Sequence, residues 1–324
     1  MKRLFFILFL CKVFSTSFAQ DGLKQSYSDT TPSLSTQNHS QFHVNYKKRL
    51  YLISGIHIAG SAATMFILSQ SWYKDFPKTS FHTFNDSREW LQVDKAGHAW
   101  TAYNIAKYSK QLWSWAGIKE KKAVVLGGVS SIAFQTILEY LDGHSTEWGW
   151  SWADMSANLL GAGFYMAQEF SWSEQRAQLK LSSLPIADPN NLDDRVTELY
   201  GKSVPERILK DYNVTNFWLS INLGSFAPNS KLPSWLNIAA GYGAKGLYGG
   251  FENRSYAKDG SVVFDRTDIP RKRQWYLSPD IDFTKIKTNK KGLKTLFSLA
   301  NMIKIPAPTL EFSNGKFKGH WLMF

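Results

Sequence analysis

The sequence predicts an α+β protein, a four-helix bundle followed by a smaller β-rich C-terminal region. Three observations predict it. Four stretches between residues 51 and 170 carry apolar residues at helical spacing. Beyond Phe217 the texture changes to alternating apolar and polar residues separated by glycine turns. Hydrophobic residues make up 44% of the 324, with 13 Trp, far above the level of a disordered chain.

At the N-terminus, Met1-Lys2-Arg3, the apolar run Leu4 to Leu10 and the small residues Ser17 and Ala19 form a secretory signal peptide over residues 1–19, cut after Ala19. The apolar run is too short to span a bilayer. Cys11 is the one cysteine. It follows Leu10 rather than the small residue that lipid modification needs, so the mature chain is expected to have neither a disulfide nor a lipid anchor. The chain has 38 Lys+Arg against 26 Asp+Glu, a net charge of +12, and loss of Lys2, Arg3 and Lys12 leaves +9. For an exported chain this basic balance points to membrane lipid and other envelope proteins as partners, and away from nucleic acid.

Residues 20–43 are rich in Ser, Thr and Gln without periodicity and read as a flexible polar segment. The helical bundle domain follows over 44–181. Its first helix includes the uncharged stretch Tyr51 to Tyr73, long enough to span a bilayer, with Gly55, Gly60, Ala62 and Ala63 for close helix approach. The next three helices run from about Asp94 to Ser114, Lys122 to Leu141 and Trp152 to Phe170. Ser171 to Leu181 reads as an exposed polar helix. A helical connector, 182–210, holds the capping box Ser203 to Glu206, which starts a short helix. In the β-rich region, 211–324, strands are expected at 217–223, 235–242, 273–277, 281–286, 309–312 and 316–324.

Several polar residues do not belong on apolar helices. Asp94 and His98 share a helix face, as do Glu139 and Asp142, and Asp154 and Asn158. Gly128, Ser131, Gln135 and Glu139 form one stripe of small and polar residues. A buried carboxylate is costly unless it is paired, hydrogen-bonded or bound to metal. The pairs are therefore expected to meet in a structural network of Asp94, Lys95, His98, Glu139, Asp142, Ser151, Asp154 and Asn158 that fixes helix register. Ser151 suits the cap of the helix whose first turn carries Asp154. A divalent metal held by His98, Glu139, Asp142 and Asp154 is the second reading. Acid–base chemistry by His98, Glu139 and Asp154 is the third.

Asp94-Lys95-Ala96-Gly97-His98, Glu139-Tyr140-Leu141-Asp142-Gly143, Trp150-Ser151-Trp152-Ala153-Asp154 and Asn158-Leu159-Leu160-Gly161 form an ordered set. Over about residues 50–180 it resembles the YfiM-like family of predicted envelope proteins of unknown function. It is more distantly similar to the VanZ-like membrane domain, with its Asp-Lys-x-x-His start, midway Glu and Asp-x-x-x-Asn. The resemblance implies an envelope location and a helical bundle, and it implies no reaction.

Gly241-Tyr242-Gly243-Ala244-Lys245-Gly246 matches G-x-G-x-x-G, but no helix can open at its third glycine, so no nucleotide cofactor is expected. Residues 271–304 hold nine Lys/Arg against two acids, a net charge of +7 suited to a solvated face or an anionic lipid surface. The alternating aromatics and terminal Phe324 are similar to outer-membrane strands, though too few for a complete barrel. The functional expectation is a non-enzymatic envelope component associated with the outer membrane, an accessory subunit of an envelope assembly. The alternative is a metal-assisted hydrolase of an envelope lipid or glycan phosphate.

Overall fold

A computed structural model describes residues 36–68, 77–227, 229–257 and 259–323, with side chains from residue 46 onward. The signal peptide and residues 20–35 lie outside the described residues. Helix α1 spans Thr36–Leu68, α2 Val93–Trp115, α3 Glu120–Asp142 and α4 Trp152–Trp172. Thus α1 begins inside the segment read as a flexible tether.

Helices α2, α3 and α4 pack on one another along their lengths. Their shared core is Ala102, Tyr103, Ala106, Ala162 and Tyr165, edged by Ile132, Phe164 and Met166. Alanine and glycine bring the axes close. A Cβ on Gly161 would stand 2.1 Å from the Ala99 carbonyl oxygen, whereas one on Gly163 would meet nothing within 4 Å. Gly161→Ala is therefore expected to cost about 1–3 kcal/mol in thermal unfolding. Gly163→Ala on the same helix should be neutral or gain up to about 1 kcal/mol.

Among the described side chains, α1 meets the bundle through its middle, where Ile53 and Ile56 pack with Leu112 and Ala116 at the C-terminal end of α2 and His57 stacks on Trp113. Elsewhere it exposes Tyr51, Leu52, Ile58 and Phe66. The bundle is therefore a three-helix core with one attached helix.

The chain then forms β1 (Ala177–Ser183), α5 (Asp193–Tyr200), α6 (Val204–Lys210), β2 (Thr215–Asn222), a one-turn α7 (Leu223–Phe226) and β3 (Leu236–Lys245). A small hairpin, β4 (Arg254–Tyr256) and β5 (Val262–Asp265), precedes β6 (Lys272–Ile281), α8 (Lys291–Ala300), β7 (Ala307–Ser313) and β8 (Lys316–Met323). Six strands form one antiparallel sheet in the order β1-β2-β3-β6-β7-β8. The capping box at Ser203 and Glu206 opens α6.

Two expectations are corrected. Most of Ser171 to Leu181 is not an exposed helix: the chain leaves α4 at Trp172 and enters β1. Residues 283–285 form a 3-10 turn, because the strand expected at 281–286 ends at Ile281 and Asp282 caps the turn through Thr284 N–H. Gly241 and Gly243 of the G-x-G-x-x-G lie on β3, where a Cβ on Gly241 would meet the Trp218 ring at 2.6 Å, and Gly246 follows its end at a positive φ.

The buried face of the sheet is largely polar, around a small apolar cluster of Trp218, Ala239 and Tyr276. Gln178, Lys180, Ser220, Asn237, Ser278, Asp280 and Glu311 are buried, while the alternate residues Ile238, Trp275, Leu277, Leu310 and Phe312 are exposed. Register aligns the outer-face residues in rows: Ala240, Leu277 and Leu310 in one, and the part-buried Tyr242 with the exposed Trp275, Phe312 and Phe317 in another. At the β1–β2 end the outer face is covered by the helices, with Leu179 against the α2–α4 core and Phe217 against Gly97. Inside, Lys180 Nζ lies 2.7 Å from Asp280 Oδ2 with both side chains fully buried. Lys180 also donates to the Ile281 carbonyl at 2.7 Å, and Ser220 Oγ donates to Asp280 at 2.6 Å.

Candidate functional site

Local structure gathers the polar residues at one end of the helical core. Residues 79–84 lie along the α3–α4 loop: Thr79 N–H donates to His144 O, His82 N–H to Gly143 O and Phe84 N–H to Trp150 O. That docking carries Asp86 to Ser151, whose hydroxyl donates to Asp86 Oδ1 at 2.5 Å. Trp90, Leu91 and Gln92 all adopt left-handed backbone angles and turn the chain into α2, where Asp94 and Lys95 sit in the first turn. The turn is tied by Trp90 N–H to Gly250 O and by the Tyr242 hydroxyl to Leu91 O. Ser151 caps α4, accepting Asp154 N–H at 3.0 Å.

Lys95 is the centre. Its Nζ lies 2.6 Å from Asp86 Oδ2, 2.8 Å from Asp94 Oδ2 and 2.7 Å from Asp154 Oδ1. Next to it, His98 Nε2 is 3.6 Å from the same Asp154 oxygen, and Nδ1 is 3.3 Å from Asn158 Oδ1 and 3.8 Å from Glu139 Oε1. Gln135 Nε2 donates to Asn158 Oδ1 at 2.6 Å, and Glu139 Oε2 accepts Ser151 N–H at 3.2 Å. The structure thus brings together Asp94, Lys95, His98, Glu139, Ser151, Asp154 and Asn158. The charge of Asp142 acts on Glu139 from the end of α3. His144 sits on the loop with its ring bonded to Tyr140 O.

Burial governs the protonation of the group. It pushes His98 down to about 4, with the Lys95 charge acting in the same direction, so the imidazole is neutral at pH 7. Burial, then the charge of Asp142, pushes Glu139 up to about 8. Asp154 is raised by burial and by a hydrogen bond to Asp86. Asp86 is lowered, because its bonds from Asp154, Lys95 and Ser151 outweigh burial. Lys95 is held charged: its carboxylate partners outweigh the burial that opposes its charge.

These states limit the chemistry. An imidazole titrating near 4 is a weak proton acceptor at neutral pH. Among the described residues there are two metal-sized groupings, His98 with Glu139 and Asp154, and Asp86 with Asp94 and Asp154, each with ligand atoms within 4.8 Å. The Lys95 ammonium takes the cation's position in the second. It also contacts the Asp154 oxygen that the first would need, so a divalent ion there would face a positive charge across one oxygen. The arrangement fits an internal ion-pair network that joins α2, α3 and α4. Asp86 is the member that sequence reasoning missed, since it stands in an irregular segment with no periodicity.

Residues 83–169, which hold this whole group, match the model of a family described as predicted periplasmic lipoprotein (DUF2279). The match spans the helical core from Thr83 to Glu169 and leaves the sheet outside it. It fits export to the periplasmic side and supplies no activity. The YfiM-like and VanZ-like likeness rests on the motif residues alone. No curated protein matches the chain, and no solved structure does.

Proposed function

We propose that this chain is a non-enzymatic envelope component held at the outer membrane, where it serves as an accessory subunit of an envelope assembly. The observation that carries the reading is the inverted sheet, with polar residues buried and the Ala240–Leu277–Leu310 and Tyr242–Trp275–Phe312–Phe317 rows on the outer face. Strands that face lipid alternate in this sense, apolar out and polar in. Six strands make an open sheet that lies against lipid.

Helix α1 adds a second uncovered apolar surface, and Tyr46–Leu68 is long and apolar enough to cross a membrane. Helix α3 satisfies the same criterion of length and composition; its Gly127, Gly128, Ser131, Gln135 and Glu139 stripe is buried on α2 and α4, and its other face exposes Val125, Val129, Ile137 and Tyr140. The metal-assisted hydrolase draws on the grouping of His98, Glu139 and Asp154, and the Lys95 contact with Asp154 weighs against it.

Fractionation tests the reading. Wild-type protein should stay with membranes through alkaline and high-salt washing and leave with detergent. Leu277→Glu combined with Leu310→Glu changes two exposed side chains, so the fold should persist while a larger share of the protein than of the wild type leaves the membranes on alkaline washing. Cys11→Ser should leave attachment intact. Full release of the wild type by alkaline or high-salt washing would refute the reading, and release by Cys11→Ser would assign attachment to a lipid instead.

A further inference from the structure

Helices α2 and α4 and the segment from Phe283 to α8 enclose a pocket of about 720 Å³, within the size range of small-molecule sites. Lys107, Lys110, Lys285, Lys287 and Lys294 line it, against two acids, Glu169 and Glu174. Both acids are already engaged. Lys110 Nζ lies 3.6 Å from Glu169 and 2.5 Å from Glu120, and Lys285 Nζ lies 2.8 Å from Glu174, which also takes Arg176. Among the described residues no ion pair holds Lys107, Lys287 or Lys294.

Lys107 is the informative member. It is only 7% exposed; its Nζ lies 5.5 Å from the Tyr108 ring, and the charges of Asp282 and Glu169 act on it without forming an ion pair. A buried ammonium without a carboxylate is costly. Burial accordingly draws its pKa down to about 8, leaving it mostly charged at neutral pH. The pocket wall therefore presents three unpaired ammonium groups. The Phe283 and Phe297 rings, 6.1 Å apart and nearly parallel, supply an apolar side.

We propose that this pocket binds the phosphate group of a phosphomonoester, with Lys107 at its base and Lys287 and Lys294 at its rim. A dianion with several acceptor oxygens matches several separate ammonium donors, as a single carboxylate does not. The volume leaves room for an organic group against Phe283 and Phe297. The phosphate can come from a soluble phosphomonoester or from a lipid headgroup.

Both sources are tested on the full chain in detergent. Calorimetry with glycerol 3-phosphate should show saturable binding at one site per chain. Lys107→Met should weaken it about tenfold or more, the loss of one charge-assisted bond. Lys121→Met, on the exposed start of α3, should leave it unchanged. Unfolding of Lys107→Met should occur at or above the wild-type temperature, because an unpaired buried charge has been removed, which separates lost binding from lost fold. The second arm is flotation on phosphatidylcholine vesicles doped with phosphatidic acid. Extra flotation on phosphatidic acid that depends on Lys107 assigns the phosphate to a lipid, and its absence beside calorimetric binding assigns it to a solute. Absence of Lys107-dependent binding in both arms, or equal loss in Lys121→Met, overturns the proposal.

Discussion

Lys95→Met lowers the unfolding free energy by about 3–5 kcal/mol, the size expected when one side of a buried ion pair is removed. Three carboxylates, Asp86, Asp94 and Asp154, lie within 2.6–2.8 Å of its Nζ, and all three residues are buried. Without the ammonium they repel one another in a poorly solvated site, and the α2–α4 contact they share is the first to open. The acids are not equivalent. Asp154 is raised and Asp86 lowered, so Asp154→Asn imitates the state Asp154 already holds and should cost less than Asp86→Asn. Denaturant midpoints of the three single variants check both the size of the effect and this order. Equal stability of wild type and Lys95→Met would show that the network does not hold the helices together.

Lys180→Met produces a loss of similar size, about 3–5 kcal/mol, from the other half of the molecule. Lys180 and Asp280 face each other across the buried side of the sheet with no exposure at either side chain. Asp280 would keep the Ser220 hydroxyl as a donor, which is too little for a fully buried charge. Lys180→Met combined with Asp280→Leu removes both charges, so it should recover much of the loss. The remainder reflects the partner that Ser220 and the Ile281 carbonyl would lose. A double variant as unstable as the single would mean that shape rather than charge sets the cost.

Much of the helical half was legible because its signals are local. Apolar spacing located α2, α3 and α4 to within two residues at each end. The carboxylates and amide at 94, 139, 154 and 158 stood out because their neighbours are apolar. Asp86 could not be read, because its partner Ser151 lies 65 residues away and meets it only through the docking of residues 79–84 on the α3–α4 loop. Helix α1 showed its length but not its isolation, which depends on what the other helices leave uncovered.

The sheet failed differently. Gln178-Leu179-Lys180-Leu181 has the period of a strand, but alternation does not say which face is inside. Assigning Lys180 to water made the segment look like an exposed helix, and only the Asp280 partner 100 positions away reverses that. Strands β2, β3, β6, β7 and β8 were legible from the same alternation, whereas the β4–β5 hairpin was not and the strand expected at 281–286 does not form. Their inverted facing was visible only as the hint of outer-membrane texture in the alternating aromatics.

Contact of the outer sheet face with lipid carries the proposed membrane attachment. Spin labels on Leu277→Cys and Leu310→Cys, with Lys121→Cys as the aqueous reference, test it in native membranes. At 277 and 310 collisions with molecular oxygen should exceed those with a water-soluble nickel chelate, and at 121 the order should reverse. Nickel-chelate access at 277 and 310 equal to that at 121 would contradict the account.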